Sequence, residues 1–199
     1  MGPQQVPQYP AQFGEEETSW DRFKGKALEL IEFVAIVGVV VLVIHFFVAE
    51  PHQVSGSSMV PNFHNREFII TNKISTRFFE IKRYEVIIFK SPREQDKVFI
   101  KRVIGLSGER VKIVGGRVYI NANPLREPYL PPSTLTQAGA FMSEGEEITI
   151  PADQYFVLGD NRGGSSDSRE WGPVKKDLII GQAFFRYWPI PNFGLIKTY

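Results

Sequence analysis

Twelve residues of this chain, "HQVSGSSMVPNF" from His52 to Phe63, gather three serines around one glycine and close on Met59 and Pro61. A serine hydroxyl is barely ionised at neutral pH, so a nucleophile here needs a base within reach. His52 and His64 flank the serines closely enough for either to approach Ser57 or Ser58. A lysine serves instead if burial lowers its pKa from about 10.4 toward neutrality, at about 1.36 kcal/mol per unit. "KVFIKRVIGL" offers one: strand alternation puts Phe99, Lys101 and Val103 on one face and Val98, Ile100, Arg102 and Ile104 on the other. Both faces are apolar around the two cations, as in a strand covered on both sides. Arg102 cannot shed its proton and would need a carboxylate, whereas Lys101 can neutralise. "GDNRGGSSDSREWG", Gly159 to Gly172, packs Asp160, Arg162, Asp167 and Arg169 around Ser165 and Ser166, a density of charge suited to pairing and to orienting a base. Each stretch also has a plain reading: a Gly/Ser turn, two cations snorkelling to an edge, and a turn-rich loop.

The elements that must position these residues are mostly strands. "REFIITNKI", "YEVIIFKS", "VFIKRVIGL", "ERVKIVGGRVYIN", "EEITIP", "QYFVLG" and "GQAFFRYWP" read as short β-runs, and no segment of comparable quality reads as an amphipathic helix. Gly115-Gly116 supplies a hairpin turn that needs positive φ. Residues 123–147, polar with four prolines up to Glu146, read as a surface excursion. The expectation is a mainly β domain over residues 51–199, built of hairpins as a partial barrel.

Ahead of it, Phe33–Ala49 is an apolar run broken only by Gly38 and His45. At ~1.5 Å per residue it covers about 25 Å, and extension back to Ala27 supplies the turn needed for a hydrocarbon core of ~30 Å. Phe47 at the −3 position and Pro51 just beyond argue against a cleavable leader. The reading is one transmembrane helix over 27–50. Arg22, Lys24 and Lys26 precede it and no Lys or Arg follows until Arg66, which puts the N-terminus in the cytoplasm and residues 51–199 outside. Residues 1–26, Pro/Gln-rich with acidic Glu15–Glu17, read as a disordered cytoplasmic tail. Val6 removes a myristoylation signal.

Composition narrows the chemistry. The chain has 199 residues, a formal net charge of +1, no cysteine and three histidines, which excludes thiol nucleophiles and disulfides and argues against a His-rich metal site. No basic face invites nucleic acid.

Taken together and in order, these segments resemble bacterial type I signal peptidases, the membrane-bound Ser/Lys proteases. "SGSSMVP" looks like the family's Ser-Gly-x-Ser-Met-x-Pro block, "RYEVIIF" like Arg-Gly-Asp-x-Val-x-Phe, and "IKRVIGLSGE" like Lys-Arg-x-x-Gly-x-Pro-Gly-Asp. "GDNRGGSSDSREWG" resembles Gly-Asp-Asn-Arg-x-x-Ser-x-Asp-Ser-Arg, and the likeness runs from about residue 34 to about 195. It implies a signal-peptidase-like catalytic domain with Ser58 as nucleophile and Lys101 as general base. It further implies a Ser165 hydroxyl bonded to the lysine, an Asp167–Arg169 support pair, and the Ser58 N–H in the oxyanion hole. Val54, Met59, Phe99 and Ile100 match the wall of a groove for small residues at −1 and −3 of a signal peptide. The implied partners are secretory preproteins and the lipid bilayer, with no metal or cofactor. The chain departs from the pattern at Gly56, where some members carry an oxyanion serine, and at Asn62, Tyr84-Glu85, Ser107 and Gly163-Gly164.

Overall fold

A computed structural model describes residue 2, residues 19–94 and residues 96–199, in two compact units, Met1–Leu42 and Val43–Tyr199. In the first, α1 spans Ser19–Val43. It starts earlier than the disordered tail expected to residue 26, because Trp20 and Phe23 stack one turn apart at 5.7 Å and Lys24 lies 5.4 Å from the Trp20 ring. The rest of that expected tail, residues 3–18, lies outside the described residues. Side chains from Leu28 to Val43 are exposed all round. Among the described residues no helix is long and apolar enough to cross a membrane. Lys26, Glu29 and Glu32 interrupt α1, and the apolar residues after Val43 leave α-geometry for a π-helical turn, Ile44–Val48, and then β1, Ala49–Gln53. The expected helical span 27–50 therefore ends in a strand at its last two residues.

The second unit is antiparallel β throughout. Its strands continue with β2 (Phe68–Asn72), β3 (Val86–Lys90), β4 (Val98–Gly105), β5 (Arg110–Val114), β6 (Arg117–Ile120) and β7 (Asn123–Pro124). After the excursion come β8 (Glu147–Thr149), β9 (Gln154–Leu158), β10 (Val174–Lys175), β11 (Ile179–Trp188) and β12 (Gly194–Leu195). One sheet runs β1-β2-β11-β3-β4-β9-β10 with β12 beside β11, and the other runs β7-β6-β5-β8. Both paths are open at their ends, so the expected mainly β domain is built of two antiparallel sheets. The hairpin β5–β6 turns on Gly115 and Gly116, both at positive φ (58° and 75°).

Two other segments depart from the sequence pattern. "REFIITNKI" is a strand only to Asn72, whose side chain then caps α2 (Lys73–Phe78) by accepting from Ile74 N at 2.9 Å and Ser75 N at 3.1 Å. The excursion 123–147 is mostly exposed, but Tyr129, Thr136 and Met142 are buried and anchor it, the first and last in the core beneath β5 and β6.

β4 is the element on which the site depends. β3 pairs with all of it from Val98 to Arg102, but β9 pairs only from Arg102 onward. Its second half is therefore interior, while Val98–Lys101 keep one main-chain edge open. Lys101 is 4% exposed and Arg102 2%, on opposite faces. Arg102 is neutralised by Asp160, just past the end of β9, through two bonds: Nε to Oδ1 at 2.9 Å and Nη2 to Oδ2 at 2.6 Å. Removing one member of such a pair leaves an uncompensated buried charge. Asp160→Ala should lower unfolding stability by about 3–5 kcal/mol in denaturant titrations; a loss under about 1 kcal/mol would show that Arg102 finds another partner.

Candidate active site

The serine turn is held from both sides. Val54 continues the β1 ladder, its N–H donating to Glu67 O at 2.8 Å and its C=O accepting from Arg66 N at 2.8 Å. Gly56, at φ 89°, makes the sharp bend, and its N–H donates to Asn65 Oδ1 at 3.0 Å. Met59, 1% exposed, and Phe63 plug into the core with Val54 and Ile100. Between these anchors Ser58 sits half-buried. Its carbonyl accepts from Asn161 N at 3.0 Å, and the Asn161 side chain donates to Ser57 O at 3.1 Å. The Ser58 N–H has no acceptor among the described residues, so it is free to serve an incoming oxygen.

Lys101 Nζ lies 2.7 Å from Ser58 Oγ and 3.0 Å from Ile100 O, with the Phe99 ring 5.4 Å away. Burial lowers its pKa from 10.5 to about 8, against the opposing pull of Asp167 and then Asp160. Both carboxylates are committed elsewhere. Asp160 bonds Arg102, and Asp167 pairs with Arg169 through Nε–Oδ1 and Nη2–Oδ2, each 2.8 Å. The amine is thus left with no carboxylate partner. Neither His52 nor His64 bonds Ser58; they lie 3.8 Å from Glu50 and 3.5 Å from Glu67 respectively.

The loop after β9 is pinned from within and without. Asp167 caps α3 (Ser168–Trp171), accepts from Gly159 N at 3.0 Å, and its partner Arg169 reaches Ser165 O at 3.3 Å and Gln137 O at 3.2 Å. Asp160 and Arg162 do not pair with each other: Arg162 reaches Glu127, Thr136 and Tyr129, and so ties the excursion to this loop. Ser165 differs from expectation. Its Oγ is buried with no hydrogen-bond partner among the described residues, and it does not bond Lys101. It packs instead on Gly159, where a Cβ would overlap both Ser165 Oγ and Ser58 O.

Beside the Ser58–Lys101 pair opens a pocket of about 130 Å³ lined by Val54, Phe99 and Ile100, together with Ile69, Ile88, Val98 and His52. Met59, expected in this wall, lies in the core under the turn instead. A larger cleft of about 770 Å³, lined by Thr76, Asp153, Lys175 and Asp177 among others, shares no residue with it and holds no serine. Sequence reasoning missed Asn161 and Asn62. Asn62 Nδ2 donates to Asp160 Oδ2 at 2.8 Å and Tyr129 O at 3.0 Å, tying the serine turn to the Arg102 pair. Its only signal was its place inside the serine block.

Residues 27–188 match the family described as signal peptidase, peptidase S26. The chain is 37% identical over 175 residues to a probable signal peptidase I-2 of Synechocystis, covering 85% of this chain and 77% of that one. It is 37% identical over 199 residues to a signal peptidase I of Leptolyngbya laminosa, covering 96% and 92%. A crystal structure of a signal peptidase I from Enterococcus faecalis V583 aligns with 52% of this chain and 96% of its own at 32% identity, with a TM-score of 0.44.

The lowered pKa of Lys101 has a stability consequence with a definite sign. Below about 8 the folded protein must hold a buried ammonium, and the penalty fades as pH rises from about 8 to 10.5, where the unfolded chain still binds the proton. Lys101→Met should therefore stabilise the fold by up to about 3 kcal/mol at neutral pH, with the gain shrinking above pH 8. Unfolding midpoints of both forms across that range test this; a variant no more stable at pH 7 would contradict the burial argument.

Proposed function

Because this chain belongs to the signal peptidase family, peptidase S26, we propose that it is a membrane-anchored serine endopeptidase that removes signal peptides from exported preproteins. The observation that carries the reading is Lys101 Nζ at 2.7 Å from Ser58 Oγ, buried and without a carboxylate partner. Ser58 Oγ attacks the scissile carbonyl while Lys101 takes its proton. The resulting oxyanion meets the Ser58 N–H; Gly56 offers no side-chain donor. Lys101 returns the proton to the leaving amine, then takes one from the water that hydrolyses the acyl-enzyme. Asp167 and Arg169 support the loop that clamps Ser58, and Ser165 fills the space over Gly159.

The substrate enters extended. β1 lies at the end of its sheet, and Val98–Lys101 keep one edge unpaired, so main-chain bonds are available on both flanks of the pocket. At about 130 Å³ the pocket suits small side chains, in keeping with small residues at −1 and −3. The anchor, assigned to residues 27–50, rests on the hydropathy of Phe33–Ala49 and not on α1 by itself. With Arg22, Lys24 and Lys26 ahead of it, the tail 1–26 lies in the cytoplasm and the peptidase domain 51–199 outside. Ser58 then follows the bilayer closely, where a signal peptide's cleavage site emerges.

Ser58→Ala and Lys101→Ala should each reduce preprotein cleavage about a thousandfold or more, and wild-type kcat/KM should rise with pH through about 8 as Lys101 loses its proton. Undiminished cleavage by Lys101→Ala would reject the dyad. Membranes washed at alkaline pH should retain the chain; its release would reject the anchor.

A further inference from the structure

Besides Ser58 and Lys101 of the dyad, the polar side chain set into the pocket's wall is His52. Gln53 and Ser55 also touch the pocket but are exposed at its rim, whereas the His52 side chain is only 18% exposed. Its Nε2 is sealed from solvent without a hydrogen-bond partner among the described residues, 3.8 Å from Glu50 Oε1; the other oxygen of Glu50 is 2.6 Å from Lys73 Nζ. A carboxylate on that side favours the ring proton on Nε2. Nδ1 is neither sealed nor bonded among the described residues. Burial pushes the His52 pKa below its ordinary value, opposed by Glu50 and aided by Lys73, so the ring is neutral near pH 7. An imidazole in that state carries one acceptor and one donor.

Strand geometry assigns the ring a place relative to the scissile bond. Glu50, His52 and Val54 turn inward along β1 while Pro51 and Gln53 are exposed. His52 and Val54 are two residues apart on one face, about 6.7 Å along the strand. Successive side chains on one face of an extended substrate, −1 and −3, have the same spacing. The −1 side chain must sit by Ser58, where Val54 and Ile100 line the pocket. The next inward position along β1 then faces −3.

We propose that His52 is a specificity-determining residue: its imidazole walls the −3 subsite and selects a hydroxyl-bearing side chain, Ser or Thr, over an apolar one of the same shape. This rests on the signal-peptide reading above. A hydroxyl can donate or accept, so it satisfies the ring in either tautomer. Val at the same place excludes water and leaves the open nitrogen unpaired, at the usual cost of a lost neutral hydrogen bond.

The test uses full-length enzyme in detergent and preprotein substrates identical except at one position. Thr and Val are isosteric, so their kcat/KM ratio within one enzyme isolates the hydroxyl. Wild type should prefer Thr over Val at −3 by about two- to tenfold, and His52→Phe should bring the ratio to one or below. His52→Gln, which keeps a donor and an acceptor, should hold it above one and serves should the phenylalanine variant not fold. A wild-type ratio of one or below overturns the proposal, as does an unchanged ratio in His52→Phe. So does a His52-dependent ratio at −1 instead of −3. No cleavage of an Ala(−3)/Ala(−1) preprotein by wild type overturns the peptidase reading itself. Brisk cleavage of that substrate with a Thr/Val ratio of one overturns only the role of His52.

Discussion

Two adjacent cations on a strand with both faces covered set the terms for everything around them. Arg102 keeps its charge in any environment, so the fold must bring a carboxylate to it, and Asp160 arrives from the end of β9, the strand that pairs with β4 from Arg102 onward. Lys101 can discharge, and the fold brings it no carboxylate. The two acids whose fields reach it, Asp167 and Asp160, are each bonded twice by an arginine. A basic amine is obtained here by withholding a partner, and the ion pairs nearby serve to keep carboxylates occupied. This explains why so many buried charges sit within a few residues of the dyad although none of them touches Ser58.

The same pairs fix geometry. Asp160 receives Asn62 from the serine turn as well as Arg102 from β4, so the two segments that carry Ser58 and Lys101 share one buried anion. Gly159, next in chain, must be bare because Ser165 and the Ser58 carbonyl crowd it. Asn161 then clamps the carbonyls of Ser57 and Ser58. Three consecutive residues thus hold the nucleophile's turn from one side, while Met59 and Phe63 hold it from the core.

What the sequence discloses follows the range of the interaction. Alternation along "VFIKRVIGL" is local, and it suffices to bury Lys101 and Arg102 and to demand an acid for the latter. Gly115-Gly116 is equally local and places a hairpin. Partner choice across the chain is not local. Asp160 and Arg162 look like a pair two residues apart, yet Arg162 joins Glu127, 35 positions away, and thereby tethers an excursion whose prolines are exposed, as their pattern suggests. Ser165 falls in its family block, but whether its hydroxyl reaches Lys101 depends on how the side chain packs over Gly159, which no local pattern encodes. Met59 falls in its family block too, and it packs behind the wall against Val54, Ile69, Ile88 and Ile100, a depth that sequence position does not tell.

The open edges around the pocket pose a problem that β1 resolves by composition. An unpaired strand invites any extended chain. Val54 bonds toward β2 through both its N–H and its C=O, so alternation turns the main-chain groups of His52 the same way and those of Pro51 and Gln53 outward. Pro51 has no N–H to offer, and at a sheet edge this costs the fold nothing. Nearest the pocket, Gln53 is then the residue that presents both a donor and an acceptor to a visiting chain. Main-chain recognition on this flank is short, which leaves discrimination to the side-chain pocket and makes the chemistry of its wall, where one imidazole stands among apolar residues beside the dyad, count for more than the length of the strand beside it.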